Sequence, residues 1–474
     1  MNYLLSLVLD TDGYKFSHFS QYPPNTTKMF SYLESRPGGR YDFTVFFGLQ
    51  YYLKRYLSQR VTVEDVLETA DFAKLYGTPF NIEGWMYIAE ELEGKLPIRI
   101  RAVPEGTVVP THNILMSVES TDPKVFWLVS YIETLLLRVW YPITVATQSW
   151  YIKQMIYHYL KETSDNAAAE LPFKLHDFGS RGVSSQESAM IGGAAHLVNF
   201  MGSDTIAGIY MANKFYNHEM AAFSVPASEH STMTMWGKAR ETEAYANMLE
   251  QYKDQPIFAC VSDSYDIFNA TKNIWGGALK DKVIAYEGTL VVRPDSGDPA
   301  QVVTKLLELL KESFGATRNS KGYWVLDHNV RVLQGDGVNY DSIKKVLDSV
   351  RGAGFSATNI GFGMGGALLQ QLDRDTQKFA FKCSWAEVDG KDVDVYKSPV
   401  TDVGKASKRG RLELIQKPDG EFTTTRRGVS AGKLAMVDVY RNGELLVEHT
   451  LEEVRSRAAK HHRVYSGWGD RPIV

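Results

Sequence analysis

Cysteine is nearly absent: the 474-residue sequence contains two, Cys260 and Cys383. Each lies inside an apolar run that is typical of a buried strand, and no cysteine framework surrounds them. The composition therefore excludes a small scaffold stabilised by disulfides. Two buried thiols indicate a reducing compartment, and we expect a cytoplasmic location.

A long uninterrupted apolar run and a recognisable targeting signal are also lacking. Leu4 to Leu9 is apolar, but no cationic segment precedes it and it ends too early for a signal peptide. The most hydrophobic stretch, residues 125–150, contains Glu133 and Arg138 and is interrupted by Pro142. It is too broken to span a bilayer, so we expect no membrane association.

Neither sign of charge dominates, since 52 Lys and Arg face 56 Asp and Glu, for a net charge of −4. The chain has no overall attraction to nucleic acid or to anionic membranes, so any phosphate must be bound by local clusters. The 11 histidines show no spacing typical of metal ligands, so no metal site made by protein alone is expected. The length and the 44% hydrophobic content predict two or three globular domains.

A repeated strand-end pattern is present instead. Eight short apolar or β-branched runs between Lys174 and Trp385 each end in a polar cluster, and seven of these clusters lead into a helical pattern. The clusters are His176-Asp177-Phe178-Gly179, Ser203-Asp204, Ser228-Glu229-His230-Ser231, Ser262-Asp263-Ser264, Arg293-Pro294-Asp295-Ser296-Gly297, Gln334-Gly335-Asp336-Gly337, Gly361 to Gly366, and Lys382-Cys383-Ser384. Parallel β/α barrels gather functional groups at the carboxyl ends of their strands. The pattern therefore predicts one mouth that binds a phosphorylated, hydroxyl-rich ligand.

The predicted fold is α/β: an irregular parallel β/α barrel with an α+β flanking domain built from the N-terminal region and the C-terminal tail. We place the flanking region at residues 1–165, the barrel at 166–385 and a β-rich tail, which packs on the flanking region, at 386–474. Within the barrel, the periodicity predicts seven helices, three of which are Thr232–Tyr252, Ser264–Val283 and Pro299–Phe314. Asp298 and Pro299 are typical of the start of the last of these three. In the tail, three turn pairs predict hairpins: Asp389-Gly390, Asp419-Gly420 and Asn442-Gly443.

Two of the strand-end clusters offer groups that suit a sugar phosphate. Residues 293–297 present an arginine fork for phosphate oxygens and a carboxylate, Asp295, for adjacent ribose hydroxyls. The alternative is a tight turn in which Asp295 caps the helix and pairs with Arg293. Residues 334–337 bring Asp336 towards a hydroxyl or a metal between two glycines, although a simple Gly-Asp-Gly turn explains the same tetrapeptide.

Three further segments have both a functional and a structural interpretation. Residues 361–366 offer backbone N–H groups to a phosphate at a helix start, with Arg374 following, but lack the dinucleotide-binding fingerprint. His230 can serve as acid, base, nucleophile or phosphate donor, or as a structural histidine beside Glu229. The basic run at residues 405–411 is either a solvated loop or a flap that grips phosphate.

Taken in order, these motifs resemble the nicotinamide phosphoribosyltransferase family. The resemblance runs from about residue 8 to about residue 415 and covers most of the chain. Its motifs are Asp12-Gly-Tyr-Lys15, Gln21-Tyr-Pro-Pro-Asn25, His176-Asp-Phe-Gly-Ser-Arg-Gly-Val-Ser-Ser185, Ser224-Val-Pro-Ala-Ser-Glu-His-Ser231, Val261-Ser-Asp-Ser-Tyr-Asp266, Arg293-Pro-Asp-Ser-Gly297, Gln334-Gly-Asp-Gly337 and Lys382-Cys-Ser384.

The resemblance implies a pentosyltransferase, that is, a glycosyltransferase. It would make nicotinamide mononucleotide and diphosphate from nicotinamide and 5-phosphoribosyl 1-diphosphate, as a step of NAD biosynthesis. It also implies Mg²⁺, bound through the diphosphate and by Asp295 or Asp336, ATP hydrolysis coupled through a phosphorylated His230, and a homodimer with active sites at the interface. The other implied roles follow by position: Phe178 and the neighbouring subunit's Tyr14 stack on the pyridine; Asp204 accepts from the amide; Arg181 and Arg293 face diphosphate; Asp295 and Asp336 face ribose; Gly335, Gly365, Gly366 and Arg374 hold the nucleotide; Lys382, Lys397 and Lys405 contact phosphate from the tail side.

Three alternatives stay open at this point. A relative that uses nicotinate is the first, although a carboxylate at Asp204 would repel nicotinate by roughly 4 kcal/mol at about 4 Å and an effective dielectric near 20. The second is a phosphosugar lyase with Lys382 as a Schiff-base lysine at a barrel strand end. The third is a protein that binds the nucleotide on the same scaffold without turnover.

Overall fold

The computed structural model describes residues 5–398, 407–429 and 432–460. The N-terminal region forms a mixed set of strands and helices: β1 Thr26–Ser35, β2 Phe43–Val45, α1 Leu49–Tyr52, α2 Val63–Tyr76, α3 Ile82–Glu90, β3 Ile98–Ala102, β4 Val108–Pro110, β5 Ile114–Ser120, α4 Leu128–Tyr131, α5 Glu133–Leu137 and α6 Trp140–Thr163. In the described ranges, no helix combines the length and the apolarity needed to cross a bilayer.

The next region alternates strands with helices, as predicted. Its elements are α7 Ala167–Glu170, β6 Leu175–Asp177, α8 Gln186–His196, β7 Gly202–Ser203, α9 Ile206–Tyr216, α10 His230–Thr234, α11 Glu241–Gln251, β8 Ile257–Val261, α12 Ile267–Asn269, α13 Lys280–Ala285, β9 Thr289–Arg293, α14 Pro299–Phe314, β10 Ala316–Arg318, β11 Trp324–Leu326, β12 Val330–Gln334, α15 Tyr340–Gly352, β13 Ile360–Met364 and α16 Gly366–Leu369. Six of the strands form a sheet in the order β7-β6-β13-β12-β9-β8, and every pairing in it is parallel.

The edges of this sheet are joined by an irregular segment, residues 223–228. At one edge, Phe223 forms a parallel bridge with Gly202, and its carbonyl accepts from the Ser203 N–H at 3.2 Å. At the other edge, Ala227 bridges Ala259, whose N–H donates to the Pro226 carbonyl at 2.8 Å. The segment therefore closes the curled sheet, and the predicted irregular parallel barrel is confirmed.

The C-terminal elements join the N-terminal strands rather than the barrel. They are β14 Phe379–Val388, β15 Lys391–Asp394, β16 Leu412–Gln416, β17 Phe422–Arg426, β18 Lys433–Leu434, β19 Val437–Arg441, β20 Glu444–Leu445 and α17 Leu451–Ala459. A seven-stranded sheet has the order β15-β14-β1-β5-β3-β19-β20. One expectation was wrong: the run that ends at Lys382-Cys383-Ser384 is not a barrel strand, because β14 pairs antiparallel with β1 and Lys382 lies opposite Tyr32.

Three of the seven predicted barrel helices have different outcomes. Pro299–Phe314 is found with the predicted bounds, and the Asp298 carboxylate caps it by accepting from the Gln301 N–H at 2.9 Å. Thr232–Tyr252 is divided, because Gly237 adopts a φ of 78° between α10 and α11. Ser264–Val283 is also divided, into α12, a π-helical segment and α13.

A buried histidine ties the barrel to its flank. His196, at the end of α8, contacts Ser149 Oγ on α6 at 3.1 Å through Nδ1. Its Nε2 lies 3.2 Å from the Leu175 carbonyl and 3.3 Å from the Gly202 carbonyl. Burial lowers the pKa of His196 to about 3, so the ring is a neutral hydrogen-bonding group at physiological pH. This contact fixes the β6 and β7 strands, which carry Asp177 and Asp204 at their ends.

Candidate active site

Four of the predicted residues surround one space at the barrel mouth. A side-chain carbon placed on Gly335 would lie 3.1 Å from Asp295 Oδ1, 3.7 Å from Arg293 Cδ and 3.8 Å from Phe178 Cε2. These residues follow β12, β9 and β6, and parallel pairing sets the carboxyl ends of these strands at the same side. Because position 335 is glycine, a ligand can approach the backbone between the three side chains.

His230 lies beside two aspartates at this mouth. Its Nε2 lies 2.9 Å from Asp263 Oδ1 and its Nδ1 lies 3.9 Å from Asp295 Oδ2. The other Asp263 oxygen accepts from the Asp295 N–H at 3.1 Å and from Ser296 Oγ at 2.6 Å. An ionised carboxylate only accepts hydrogen bonds, so the contact with Asp263 favours the neutral tautomer that has its proton on Nε2 and a lone pair on Nδ1.

The carboxylates of Asp263, Asp295 and Asp336 are close enough at the mouth to influence one another's charge. Burial raises the pKa of Asp295, Arg293 and His230 oppose that shift, and Asp263 and Asp336 add to it. Arg293 Nη2 lies 3.9 Å from Asp295 Oδ2, which is an ion pair without a hydrogen bond. The structural alternative for this cluster was therefore wrong in its cap, since Asp298 caps α14, and its ion pair leaves the guanidinium available to an anion.

The Phe178 ring lies against a strand that has no side chain there. A carbon on Gly363 would lie 1.9 Å from Phe178 Cε2 and 2.2 Å from Cδ2, so the ring occupies the space that a side chain would take. The Phe178 N–H donates to the Met364 carbonyl at 2.9 Å. Glycine at position 363 therefore determines where the exposed face of the ring can stack.

Replacing Gly363 with Ala is expected to displace the ring. We expect a stability loss of about 1–3 kcal/mol from overpacking, and a rise of about tenfold in the KM for the ligand that stacks on Phe178, since good aromatic contacts contribute about 1 kcal/mol or more. Gly361→Ala is the matched control, because a carbon there meets only Leu333 Cδ1, at 3.8 Å. Thermal unfolding and steady-state kinetics of both variants test this; equal KM values would contradict it.

Asp204 is held from two sides. Its N–H donates to the Asp177 carbonyl at 2.9 Å, and its carboxylate accepts a hydrogen bond from the Ser224 hydroxyl of the closing segment. His176 lies nearby: burial lowers the His176 pKa, and the Asp204 charge opposes that shift. Within the described part of the chain, no group donates a hydrogen bond to the second carboxylate oxygen of Asp204, so it can accept from a ligand N–H.

The glycine loop packs against the turn that carries Arg181. A carbon on Gly182 would lie 3.4 Å from the Gly366 Cα, and one on Gly179 would lie 3.0 Å from the Gly365 carbonyl. Arg181, in the 3₁₀ turn between these two glycines, is exposed. Arginine and free backbone N–H groups therefore lie on neighbouring turns, an arrangement that suits a phosphate.

Three other predicted residues lie together elsewhere. Arg374, Lys382 and Lys397 line a cavity of about 580 Å³ in the flanking region, with Arg36 and Glu133. Burial lowers the pKa of Lys382, Glu133 opposes the shift, and the three neighbouring cations add to it. None of the mouth residues described above lines this cavity, so within one chain these cations form a second site, which we call the flanking cavity.

Tyr14 lies near the flanking cavity and not at the mouth. It is 63% exposed on the 3₁₀ helix Gly13–Ser20, which Lys15 ties to Glu133 through an ion pair of 3.0 Å. Lys405, the remaining predicted phosphate contact, lies outside the described residues.

Comparison with known proteins agrees with this geometry. The model of the nicotinate phosphoribosyltransferase family matches residues 173–444, and that of the nicotinamide phosphoribosyltransferase N-terminal domain matches residues 6–100. The chain is 54% identical over 467 residues to a nicotinamide phosphoribosyltransferase of Xanthomonas campestris pv. campestris (strain 8004), covering 97% of this chain and 99% of that one. It is 32% identical over 455 residues to one of Mycoplasma pneumoniae, covering 88% and 98%.

The chain belongs to the nicotinate phosphoribosyltransferase family. It is therefore a phosphoribosyltransferase, which is a pentosyltransferase. Two solved structures show the same fold at 17% identity: a nicotinate-nucleotide pyrophosphorylase from Pyrococcus furiosus, with a TM-score of 0.61 and 98% of both chains covered, and human nicotinic acid phosphoribosyltransferase, with a TM-score of 0.53 and coverage of 98% and 95%.

This membership also removes the lyase alternative. That hypothesis needed Lys382 at a barrel strand end, but Lys382 lies on β14 in the antiparallel sheet. Its lowered pKa reflects burial and neighbouring cations in the flanking cavity.

Some residues of this phosphoribosyltransferase were not predicted as site residues. Asp263 had a signal, since it stands in one of the eight strand-end clusters, but only the structure pairs it with His230. Ser224 stands in one of the motifs that carry the resemblance, but nothing in the sequence paired it with Asp204, because the closing segment contains no regular strand. Arg36 and Glu133 join the flanking cavity from remote parts of the sequence.

Proposed function

We propose that this phosphoribosyltransferase uses nicotinamide and 5-phosphoribosyl 1-diphosphate to make nicotinamide mononucleotide and diphosphate, as a step of NAD biosynthesis. The observation that carries the proposal is the barrel mouth: Phe178, Arg293 and Asp295 lie around Gly335, and the Asp204 carboxylate, held by Ser224, follows the strand next to the one that ends before Phe178. The printed names of the relatives from Xanthomonas campestris and Mycoplasma pneumoniae agree with it.

The residue types suit this transfer. The pyridine nitrogen attacks the ribose C1, and the bond from C1 to the diphosphate oxygen breaks with its electron pair leaving on diphosphate. No proton has to move, so a general base is unnecessary. Arg181 and Arg293 would stabilise the leaving diphosphate, and Asp295 and Asp336 would orient the ribose hydroxyls, so that positioning and electrostatics supply the rate.

We propose that Mg²⁺ accompanies the diphosphate. Among the described residues, no group of three or more His, Cys, Asp or Glu side chains is arranged to hold a metal alone. Mg²⁺ commonly binds through one or two carboxylates together with substrate phosphates, and Asp295 and Asp336 provide such oxygens. The ion would neutralise charge on the departing diphosphate.

Asp204 is proposed to select the neutral amide. Ser224 occupies one carboxylate oxygen, which leaves the other to accept from the amide N–H₂ of nicotinamide. Nicotinate would bring a second carboxylate to the same place, and two such charges about 4 Å apart repel by roughly 4 kcal/mol at an effective dielectric near 20. Solvent screening at the mouth reduces this figure, so we expect a preference of about 100-fold.

The test of the proposed function is diphosphate release with each pyridine. We expect the kcat/KM for nicotinamide to exceed that for nicotinate by about 100-fold, and Asp204→Ala to narrow this ratio to within about tenfold. Glu219→Ala is the matched control, because it removes an exposed carboxylate beyond the end of α9 without touching the mouth. Folded protein that releases no diphosphate with either pyridine would sink the proposal.

We also propose that ATP hydrolysis drives the transfer through phosphorylation of His230. The imidazole is 45% exposed and its partner Asp263 only 5%, so the ring can be reached while its orienting carboxylate stays shielded. Nδ1 would attack the γ-phosphorus, the bond to the ADP oxygen would break, and Asp263 would stabilise the resulting imidazolium charge. The phosphoryl group would then lie beside the arginines of the mouth.

The last part of the proposal is a homodimer whose active sites combine the mouth of one subunit with the flanking cavity of the other. It would bring the partner's cations and Tyr14 to the mouth. Support comes from exposed apolar side chains on the elements that flank Asp204, which indicate a surface made for a protein contact: Phe173, Ile206, Tyr210 and Phe223. We also propose a cytoplasmic location, in line with the two free thiols, Cys260 and Cys383.

A further inference from the structure

The mouth contains a buried acid that the proposed chemistry does not use. Asp177 ends β6 directly before Phe178, and its side chain is 0% exposed. One carboxylate oxygen accepts from the Gly179 N–H at 2.7 Å. The other lies near the buried Thr205 hydroxyl, which favours its charged form, but the two atoms do not form a hydrogen bond of 3.5 Å or less with good geometry. A buried carboxyl group that lacks an ion pair is costly, so it needs an explanation.

Asp177 connects the two groups that would hold a pyridine. Its side chain fixes the turn that carries Phe178, through the Gly179 N–H. Its backbone carbonyl accepts the Asp204 N–H at 2.9 Å. The register of β6 on β13 sets Asp177 beside Met364, whose carbonyl holds the Phe178 N–H. Asp177 is therefore bonded both to the turn that carries Phe178 and to the backbone of Asp204.

The charge of Asp177 adds to that of Asp204. Burial raises the pKa of Asp177 to about 6; the Gly179 N–H and the Thr205 hydroxyl oppose the shift, and the Asp204 charge adds to it. Tyr141 faces it from α6 and stays protonated, because burial raises the tyrosine pKa. His176, on the same strand, is neutral near pH 7, since burial lowers its pKa. Asp177 is therefore ionised above about pH 6 and neutral below it.

We propose that Asp177 is a positioning and specificity-determining residue of the pyridine site: its side chain sets the geometry between Phe178 and Asp204, and its negative charge behind Asp204 strengthens the rejection of a pyridine carboxylate. The inference rests on the proposed function, because it assumes that the mouth binds nicotinamide. It goes further in dividing the selection between two carboxylates, one in contact with the ligand and one buried behind it.

Two substitutions separate the two roles. Asp177→Asn keeps an oxygen for the Gly179 N–H but removes the charge. We expect it to lower the ratio of kcat/KM for nicotinamide to that for nicotinate about tenfold, because one buried negative charge no longer opposes the nicotinate carboxylate. Asp177→Ala also loses the hydrogen bond, so we expect kcat/KM for both pyridines to fall about tenfold or more.

The pH profile gives the readout that a purely structural role would not change. The ratio of kcat/KM for nicotinamide to that for nicotinate is measured from about pH 5.5 to about pH 8, a range that spans the pKa of Asp177. In the wild type the ratio should fall as the pH drops through about 6, because the buried carboxylate gains a proton. In Asp177→Asn it should stay low and flat. Groups that act on both substrates alike cancel in the ratio.

The possible outcomes are distinct. If the wild type transfers to nicotinamide with a ratio that does not change with pH, or if Asp177→Asn keeps the wild-type profile, the inference is wrong while the proposed function stands. If no pyridine is used by folded wild type, the proposed function itself fails. The wild-type profile needs no variant, so the inference stays testable even when Asp177→Asn does not fold.

Discussion

A one-to-one mixture of Asp295→Ala and Lys382→Ala chains is expected to recover about a quarter of the wild-type turnover, although each variant alone should be at least 100-fold slower. Asp295 lies at the barrel mouth and Lys382 in the flanking cavity. Random exchange of subunits in this mixture makes half of the dimers hybrids. The proposed active site combines the mouth of one subunit with the flanking cavity of the other. Each hybrid then has one site with both lesions and one intact site.

The control pairs two lesions of the same region. Asp295→Ala mixed with Arg293→Ala should recover nothing, because every site in every dimer then carries a damaged mouth. Subunit exchange is verified by pulling down differently tagged chains before the assay. Exchanged chains that show no recovery with Lys382→Ala would mean that the flanking cavity serves another purpose, and the proposed composite site would have to be abandoned.

Local sequence signals predicted several elements of the barrel and of the tail. Pro299–Phe314 has its bounds because a capping aspartate, a proline in the first turn and an apolar helical face agree. Asp389-Gly390 and Asn442-Gly443 form the predicted hairpin turns, with positive φ at both residues of each pair. Such features depend on neighbours in sequence, so they are visible without the fold.

Long-range pairings were not predictable in the same way. The run at Phe379–Val388 was correctly identified as a strand, but its partner β1 lies about 350 residues earlier. A strand pattern shows that a segment is extended and half-buried, and it does not specify which edge the segment joins. Lys382 was therefore assigned to the barrel, whereas it lines the flanking cavity.

The residues of the candidate site were likewise predictable only where they follow a local sequence pattern. The strand-end rule found Asp204, Arg293, Asp295 and Asp336, because parallel strands end at a common side. It did not find Ser224, since the segment that closes the barrel makes only single bridges and has no periodic pattern. Asp263 orients His230 through a contact between the loop after β8 and the first residue of α10. The two residues are 33 positions apart in the sequence, so only the folded structure shows this contact.

Replacing His230 with Ala is expected to abolish the stimulation of phosphoribosyl transfer by ATP, while transfer without ATP stays within about threefold of the wild type. The imidazole would be the only group that carries the phosphoryl intermediate. It does not touch the breaking bond to ribose. Assays with and without ATP, together with acid-labile label from γ-labelled ATP on the protein, measure both effects.

Asp263→Asn tests how the imidazole is oriented. It keeps the size of the side chain but no longer stabilises a positive ring, so we expect the ATP-dependent rate to fall about tenfold or more while the rate without ATP changes little. His328→Ala is the matched control, because His328 forms a surface pair with Asp327 at 3.1 Å and lies at the start of β12, away from the mouth. Undiminished ATP stimulation in His230→Ala would show that phosphorylation occurs elsewhere or not at all. Loss of label in His328→Ala would point to that surface histidine instead.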